Sequence, residues 1–262
     1  MKAESIVVSR IEERGDVGCV AYVIVNNAAR RNALTIQGKV DFIDALRGLS
    51  KMDQLRAVVI TGAGDKSFIG GADLHELSKV KTDHESEAIS NNTHVICDLI
   101  REIPVPVIAR VNGYCLGAGM EIAASCDMRV GANTAKLGMP EVKFGIPCGM
   151  EACLLPSLIG WGKTMELVFT GELIDAQEAL QCGFLQRMVS VAELDAAVEK
   201  WVNSICLAGP RAIRLQKRLN KDWERMSISD AIQQGIKACI DARTTDEPRR
   251  MAQAFVDRKK NH

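Results

Sequence analysis

Two glycine-rich segments, each lying between a short apolar run and a run with helical spacing, constrain the fold of this sequence most strongly. The first occupies residues 67–76 (SFIGGADLHE) and the second residues 112–121 (NGYCLGAGME). Glycine lets the backbone turn sharply and approach a ligand closely. A helix that begins at such a turn leaves its first N–H groups unpaired, and its dipole favours negative charge there. Two such N–H groups converging on one point form an oxyanion hole.

Glycine-rich turns before helices are also common in α/β proteins without any binding role. Each segment alone therefore leaves both interpretations open. Neither segment contains the phosphate-loop pattern GxxxxGK(S/T). The dinucleotide pattern GxGxxG is not met either, because Ile122 stands at the position of its third glycine.

The surrounding sequence predicts an α/β fold with parallel pairing, because strand-like and helix-like runs alternate. Strands are expected at residues 6–11, 17–25, 57–61 and 105–111, with Gly15-Asp16 as a turn and Pro106 near the start of the last strand. Helical spacing covers residues 36–49 and 86–101.

The last third of the chain predicts helices. The capping box Ser190-Val191-Ala192-Glu193 opens a helix that runs to about Leu207. Pro210 stands where a first-turn proline belongs, and helices are expected over residues 229–240 and 248–259. We therefore expect a core over residues 1–195 and a helical region over residues 196–262 that packs on the core or on a neighbouring subunit.

Composition excludes several classes of protein. The 33 basic and 33 acidic residues cancel, so a broad nucleic-acid-binding surface is not expected. No apolar run approaches the roughly 18 residues of a membrane span, and residues 1–10 lack the apolar core of a signal peptide. Nine cysteines, an odd number without a CxxC pair, indicate the reduced thiols of a cytoplasmic protein. Histidines at positions 75, 84 and 94 lack metal-ligand spacing, so no metal is expected.

Four motifs together resemble one family. Residues 68–77 (FIGGADLHEL) resemble the crotonase motif F-x-x-G-x-D-L-x-E, and residues 112–127 (NGYCLGAGMEIAASCD) resemble its second motif, N-G-x-x-x-G-G-G-x-E-L-x-x-x-C-D. Residues 140–145 (PEVKFG) and 170–183 are similar to its later motifs. The chain is thus identified as a member of the enoyl-CoA hydratase/isomerase (crotonase) superfamily. The resemblance implies a crotonase-like ββα spiral core, a C-terminal helical trimerisation region, and a homotrimer or homohexamer.

The resemblance also implies an activity. The substrate is an acyl-CoA thioester, so coenzyme A enters as part of the substrate and no cofactor is bound permanently. The thioester oxygen accepts bonds from the N–H groups of Ala72 and Ala118. Two glutamates, one acting on water and the other protonating the α carbon, match Glu121 and Glu141. Such a pair adds water across the 2,3 double bond of a 2-enoyl-CoA to give a 3-hydroxyacyl-CoA. Without the family match, Glu121 would be read as solvent-facing and Glu141 as a helix cap.

Coenzyme A contacts are implied at three places. The loop and turn positions that match the family are Arg30, Arg31, Gly70, Ala72, Asp73 and Leu74. In the tail, Phe255 and Arg258 match an aromatic and a basic residue that reach coenzyme A from a neighbouring subunit. Either arginine is equally compatible with a solvated basic loop.

The sequence departs from the hydratase pattern over residues 145–153 (GIPCGMEAC). One residue is missing there, Cys148 replaces a glycine, and Met150-Glu151 replaces a double glycine. Glu151 is either a third carboxylate near the site or a first-turn helix residue, and we favour the second interpretation. A nucleophilic Cys148 is disfavoured because no histidine accompanies it. The departure keeps two alternatives open: another crotonase reaction (isomerase, C–C hydrolase or decarboxylase), or an acyl-CoA-binding homologue without turnover.

Overall fold

Parallel strands build two sheets in the computed structural model, which describes residues 5–260. The strands are β1 (Val7–Glu13), β2 (Cys19–Val25), β3 (Leu55–Gly62), β4 (Ser67–Ile69), β5 (Val107–Val111), β6 (Tyr114–Leu116), β7 (Met128–Ala132), β8 (Lys136–Gly138), β9 (Leu173–Asp175) and β10 (Arg187–Val189). The large sheet has the order β1-β2-β3-β5-β7-β10, and the small sheet has the order β4-β6-β8-β9. Pairing is parallel except between β1 and β2 and between β8 and β9.

Helices connect and cover these sheets. The α-helices are α1 (Ile36–Leu49), α2 (Leu74–Leu77), α3 (Asp83–Glu102), α4 (Ala118–Ser125), α5 (Leu155–Thr170), α6 (Ala176–Gln181), α7 (Leu194–Leu207), α8 (Pro210–Trp223), α9 (Ile228–Ala242) and α10 (Glu247–Lys260). Short 3₁₀-helices span Gly15–Val17, Ala28–Arg30, Pro140–Phe144, Met150–Leu154 and Val191–Glu193. Within residues 5–260, no helix is long and apolar enough to cross a membrane.

Strand β3 shows why the large sheet lies inside the protein. All of its residues are buried, as expected for a continuous apolar run in a parallel sheet. Val58 and Ile60 pack in the cluster that contains α1 and α3 side chains. Ala57 and Val59 pack in a second cluster on the opposite face, against α7. Both faces of the sheet are therefore covered by helices.

A strand of the large sheet is followed three times by a strand of the small sheet. The pairs are β3 with β4, β5 with β6, and β7 with β8. Since β4, β6 and β8 are parallel neighbours, the segments that leave their carboxyl ends lie side by side. Two of these segments, residues 70–76 after β4 and residues 117–121 after β6, are called here the first and the second glycine-rich junction, and the repeat brings them to one edge of the small sheet.

The predicted elements are found in the structure, and their bounds need correction at several places, of which three have a clear physical reason. Val17 lies in a 3₁₀-helix rather than in β2, because Gly18 at φ 110° interrupts the extended backbone. Strand β5 begins at Val107 rather than at residue 105, and Pro106 contributes only a carbonyl, which accepts the Val58 N–H at 3.0 Å. Helix α3 begins three residues earlier than expected, at Asp83 with Thr82 and Glu85 forming its capping box.

The helical tail follows the predicted signals. Ser190 and Glu193 form a capping box. The first turn of the helix that it opens is a 3₁₀-helix, and α7 then continues to Leu207. Pro210 is the first residue of α8. The expected boundary between residues 195 and 196 falls inside α7, so the division into two parts stays a prediction.

Candidate active site

The two glycine-rich junctions pack directly against each other. Strand β4 pairs with β6 through Ser67 and Tyr114, and the junctions follow these strands. A Cβ atom on Gly71 would lie 3.2 Å from the Leu116 carbonyl oxygen. A Cβ atom on Gly119 would overlap the carbonyl of Ile69. The close approach of the two backbones therefore depends on glycine.

Each junction leaves one alanine N–H available to a ligand. Ala72 forms an isolated parallel bridge with Leu34, whose N–H donates to Gly71 and whose carbonyl accepts from Asp73. In this alternation the N–H of Ala72 points away from Leu34. Ala118 is the first residue of α4, so its N–H has no acceptor in a preceding turn of the helix. Both predicted donors thus lie on neighbouring junctions.

Glu141 lies over the N-terminus of α4. A Cβ atom on Gly117 would be 2.5 Å from Glu141 Oε1, which fixes the carboxylate beside this turn. The thiol of Cys148 donates to Glu141 Oε2 at 3.3 Å. Burial raises the pKa of Glu141, and the hydrogen bond from Cys148 acts in the opposite direction. The carboxylate is therefore half-buried, held on one side, and directed toward the first turn of α4.

Glu121 is buried inside the same region, with 1% of its surface exposed. Its Oε1 accepts the Ala152 N–H at 3.2 Å, and its buried Oε2 accepts no hydrogen bond from any described residue. Burial, followed by the charges of Glu141 and Glu151, raises the pKa of Glu121 to about 8. A solvent-facing Glu121 is thus wrong, and the predicted glutamate pair lies within electrostatic range of each other.

Glu151 corrects the interpretation favoured from the sequence. It does lie in the first turn of a helix, the 3₁₀-helix Met150–Leu154, but its side chain is buried rather than solvated. Its Oε1 is 2.7 Å from His94 Nδ1. Because its charge acts on Glu121, it is a third carboxylate near the pair.

Cys148 has the properties of a hydrogen-bond donor, not of a nucleophile. Burial, followed by the charge of Glu141, raises the pKa of the Cys148 thiol to about 12. The thiolate needed for attack is then scarce at neutral pH. Among the described residues, no group of three or more His, Cys, Asp and Glu side chains is arranged to hold a metal ion.

The residues expected to contact coenzyme A lie around the first junction. Arg30 is paired with Asp73 at 2.7 Å, and the guanidinium of Arg31 lies 5.1 Å from the ring centre of Tyr114. Asp73 also caps α2, since its Oδ1 accepts the N–H groups of His75 and Glu76. Both the carboxylate and the backbone of Asp73 are therefore engaged within the protein, since its N–H donates to the Leu34 carbonyl and its own carbonyl accepts from α2.

The remaining residues expected to contact coenzyme A lie in two places, at the first junction and on α10. Gly70 packs on the Arg31 carbonyl, 2.7 Å from where its Cβ would be, and the side chain of Leu74 is half-exposed at the start of α2. Phe255 is exposed on α10, away from the two junctions in sequence. The side chain of Arg258 lies outside the part of the chain that the structure describes.

Two groups near the site were not assigned by sequence reasoning: the His94–Glu151 pair and Lys39. Lys39 lies on the buried face of α1, where its Nζ donates to the Ile89 carbonyl at 3.1 Å. Burial lowers the pKa of Lys39 to about 8, and the charge of Glu121 is the main opposing influence. A lysine at a core position of a helical pattern was the signal in the sequence. No comparable signal joined His94 to Glu151.

Comparison with known proteins first defines the class. A crystal structure of an enoyl-CoA hydratase from Bacillus anthracis superposes with a TM-score of 0.91 at 28% identity, covering 97% of each chain. The protein therefore has the crotonase fold. The family model described as enoyl-CoA hydratase/isomerase matches residues 16–262, and the chain belongs to this family.

Two relatives of known name are similar over almost their whole length. The chain is 32% identical over 246 residues to the short-chain-enoyl-CoA hydratase of Clostridium acetobutylicum, with 93% of each sequence covered. It is 31% identical over 261 residues to the crotonyl-CoA hydratase of Syntrophomonas wolfei, covering 99% of this chain and 98% of that relative. The crotonase fold and the family expected from the motifs are confirmed, and the trimerisation region stays a prediction.

Proposed function

We propose that the protein is an enoyl-CoA hydratase. One observation carries the proposal: Glu141 lies beside Gly117 at the N-terminus of α4, and its charge acts on the buried Glu121 in the first turn of that helix, whose first N–H belongs to Ala118. A hydratase needs both an acid and a base at the reacting carbons. Family relatives that bear hydratase names support the same reaction class.

The proposed mechanism uses backbone and side chain for different tasks. The thioester oxygen accepts the N–H groups of Ala72 and Ala118, which stabilise the negative charge that develops there. Removing one such donor typically costs about 3 kcal/mol of barrier. Water loses a proton to one glutamate as its oxygen bonds to C3, and the other glutamate protonates C2. The buried Glu121 and the half-buried Glu141 repel each other and hold one proton between them at neutral pH, so the pair begins and ends the cycle with one proton.

We further propose that the substrate is held at three places. Arg30 and Arg31 face the phosphates of coenzyme A, because both are fixed beside the first junction. The turn from Gly70 to Leu74 receives the pantetheine arm and the adenine. Phe255 and Arg258 approach from a neighbouring subunit, since they lie on the terminal helix α10. Coenzyme A is then part of the substrate, and no permanently bound cofactor is required.

An exposed row of isoleucines supports a homotrimer or homohexamer. Every fourth residue of α9 is an exposed isoleucine, a set called here the isoleucine row: Ile228, Ile232, Ile236 and Ile240. Contiguous apolar surface of this kind favours a protein interface. The helical region over residues 196–262 is thus proposed to pack on a second copy of the chain.

The test is turnover of enoyl-CoA thioesters. Purified protein is incubated with crotonyl-CoA and with longer and branched 2-enoyl-CoAs, and loss of enoyl absorbance is followed. Glu121→Gln and Glu141→Gln are each expected to abolish hydration while acyl-CoA affinity stays near normal. Measurable acyl-CoA binding without turnover of any 2-enoyl-CoA contradicts the proposal. Full activity in either variant contradicts the role of that glutamate.

A second candidate is double-bond isomerisation of a 3-enoyl-CoA. It is favoured by residues 145–153, which give Glu141 a thiol partner and add the buried Glu151. Isomerisation moves a proton between C2 and C4 and consumes no water. Formation of enoyl absorbance from a 3-enoyl-CoA, without later loss of that absorbance, distinguishes this reaction from hydration.

A further inference from the structure

A histidine–glutamate pair lies close to Glu121 and has no part in the proposed mechanism. His94, on α3, is 2.7 Å from Glu151 in the 3₁₀-helix Met150–Leu154. The side chain of His94 is 56% exposed, whereas that of Glu151 is only 10% exposed. The pair therefore joins solvent on one side to the buried carboxylates on the other.

The backbone connects this pair to Glu121. Ala152 directly follows Glu151, and its N–H donates to Glu121 Oε1 at 3.2 Å. The second oxygen of Glu151 is buried and accepts no hydrogen bond from the described residues. His94 is thus the side chain that anchors Glu151. Loss of a partner from a buried carboxylate is costly, so without His94 the segment that carries Ala152 is expected to shift.

Charge connects the pair to Glu121 as well. Titratable groups act on Glu121 from the elements packed around α4, and they differ in sign. Burial raises the pKa of Glu121 most, the charges of Glu141 and Glu151 raise it further, and the Ala152 hydrogen bond and Lys39 lower it. From α3, His94 contacts Glu151, and Cys97 lies within range of Glu121; burial and then the charge of Glu151 raise the pKa of the Cys97 thiol. Cys148, in the loop before the 3₁₀-helix, faces the glutamates Glu141 and Glu121.

Resting on the proposed hydratase function, we propose that His94 and Glu151 are positioning residues for Glu121. His94 anchors Glu151, and this anchor holds the Ala152 N–H on Glu121 Oε1. Glu151 in addition places a negative charge near Glu121. Neither residue is assigned a contact with the reacting carbons, so both act through Glu121.

The two effects have opposite signs, which makes them separable. Glu151→Gln keeps a side chain able to bond His94 but removes the charge, so the Glu121 titration midpoint falls by about one pH unit. His94→Ala keeps the charge but releases the anchor, so Glu121 loses the Ala152 hydrogen bond and its midpoint rises. His94→Gln, which retains a donor for Glu151, is expected to restore the wild-type midpoint in part.

The first experiment needs no substrate. Free protein labelled with 13C at glutamate carboxyls is titrated by NMR, and the Glu121 signal is assigned by its absence in Glu121→Gln. His84→Gln and Glu87→Gln are matched controls, because both residues are exposed on the same helix α3. They are expected to leave the Glu121 midpoint unchanged. An unchanged midpoint in both His94→Ala and Glu151→Gln, or a shift of the same sign in both, overturns the inference.

The second experiment uses crotonyl-CoA. His94→Ala is expected to lower kcat about tenfold to a hundredfold with little change in KM, because a catalytic carboxylate is misplaced. Glu151→Ala, which loses anchor and charge together, is expected to lower kcat more than Glu151→Gln does. Equal kcat in Glu151→Ala and wild type contradicts the positioning role. If wild type hydrates no enoyl-CoA, the proposed function fails, and the NMR titration alone then decides the inference.

Discussion

Gly117→Ala tests whether the position of Glu141 depends on the turn before α4. Gly117 has φ 52° and ψ −122°, a conformation that alanine adopts at a cost of about 1–3 kcal/mol. The new Cβ would lie 2.5 Å from Glu141 Oε1. Ordinary contact begins near 3.4 Å, so the carboxylate must move by about 1 Å. The end of a flexible side chain can make this move, so the fold is expected to persist.

The effect on hydration is expected to be large. A displacement of about 1 Å at a reacting group costs on the order of a hundredfold in rate, equivalent to about 2.7 kcal/mol of barrier. The assay is loss of enoyl absorbance from crotonyl-CoA, with kcat and KM measured separately. We expect kcat to fall about a hundredfold and acyl-CoA affinity to change little.

The control separates backbone strain from displacement of the carboxylate. Gly64 also has a positive φ, 75°, but a Cβ there meets no atom within 4 Å. Gly64→Ala is expected to lower the melting temperature without lowering kcat. Gly117→Ala in a Glu141→Gln background should add little to the loss caused by Glu141→Gln alone. Retention of kcat within about threefold in Gly117→Ala refutes the reasoning, because the geometry requires a much larger loss.

Four shorter predictions follow from burial and exposure. The pKa of Glu121 is about 8 in the native state against an ordinary 4.5, so between these pH values the native state retains a proton that the unfolded state releases. The free energy of unfolding therefore falls as the pH rises from about 4.5 to about 8. Urea titrations of Glu121→Gln should lack this fall. Lys39→Met should raise the free energy of unfolding at pH 7 by about 1–3 kcal/mol in the same titrations, because it removes a buried ammonium. Ile232→Asp should reduce the assembly to a smaller species in analytical ultracentrifugation; an unchanged sedimentation coefficient contradicts the interface assigned to the isoleucine row. A disulfide reagent at pH 8 should label the exposed Cys153 at least about tenfold faster than Cys148, as judged by mass spectrometry of the labelled peptides.

Local signals in the sequence sufficed for the junctions and for the elements that were predicted, whereas β7 to β10, α5 and α6 were not predicted. The capping box at Ser190, the first-turn Pro210 and the apolar run that forms β3 each depend on residues close together in the chain. Glu121 and Glu141 required the family resemblance, because nothing in their own spacing distinguishes them from a solvent-facing residue and a cap.

Long-range contacts escaped prediction for a physical reason. His94 and Glu151 are separated by 57 positions and meet only because α3 packs on α4 and on the 3₁₀-helix Met150–Leu154. Glutamate in a first turn is usually solvated, so dipole complementarity was the simpler interpretation. In the structure the neighbouring helices bury the side chain of Glu151, so the interpretation as a solvated residue is wrong.

The departure from the hydratase pattern over residues 145–153 is also where the two glutamates receive their hydrogen bonds. Cys148 donates its thiol to Glu141, and Ala152 donates its N–H to Glu121. Both bonds favour the ionised carboxylates against the burial that raises their pKa values. One hydrogen-bond donor to each of the two carboxylates is the arrangement expected of a segment that takes part in the proposed reaction. We therefore interpret this stretch as adjusting the acid–base pair, and its substitution by a glycine-rich hydratase sequence should shift the pH profile of kcat rather than abolish turnover.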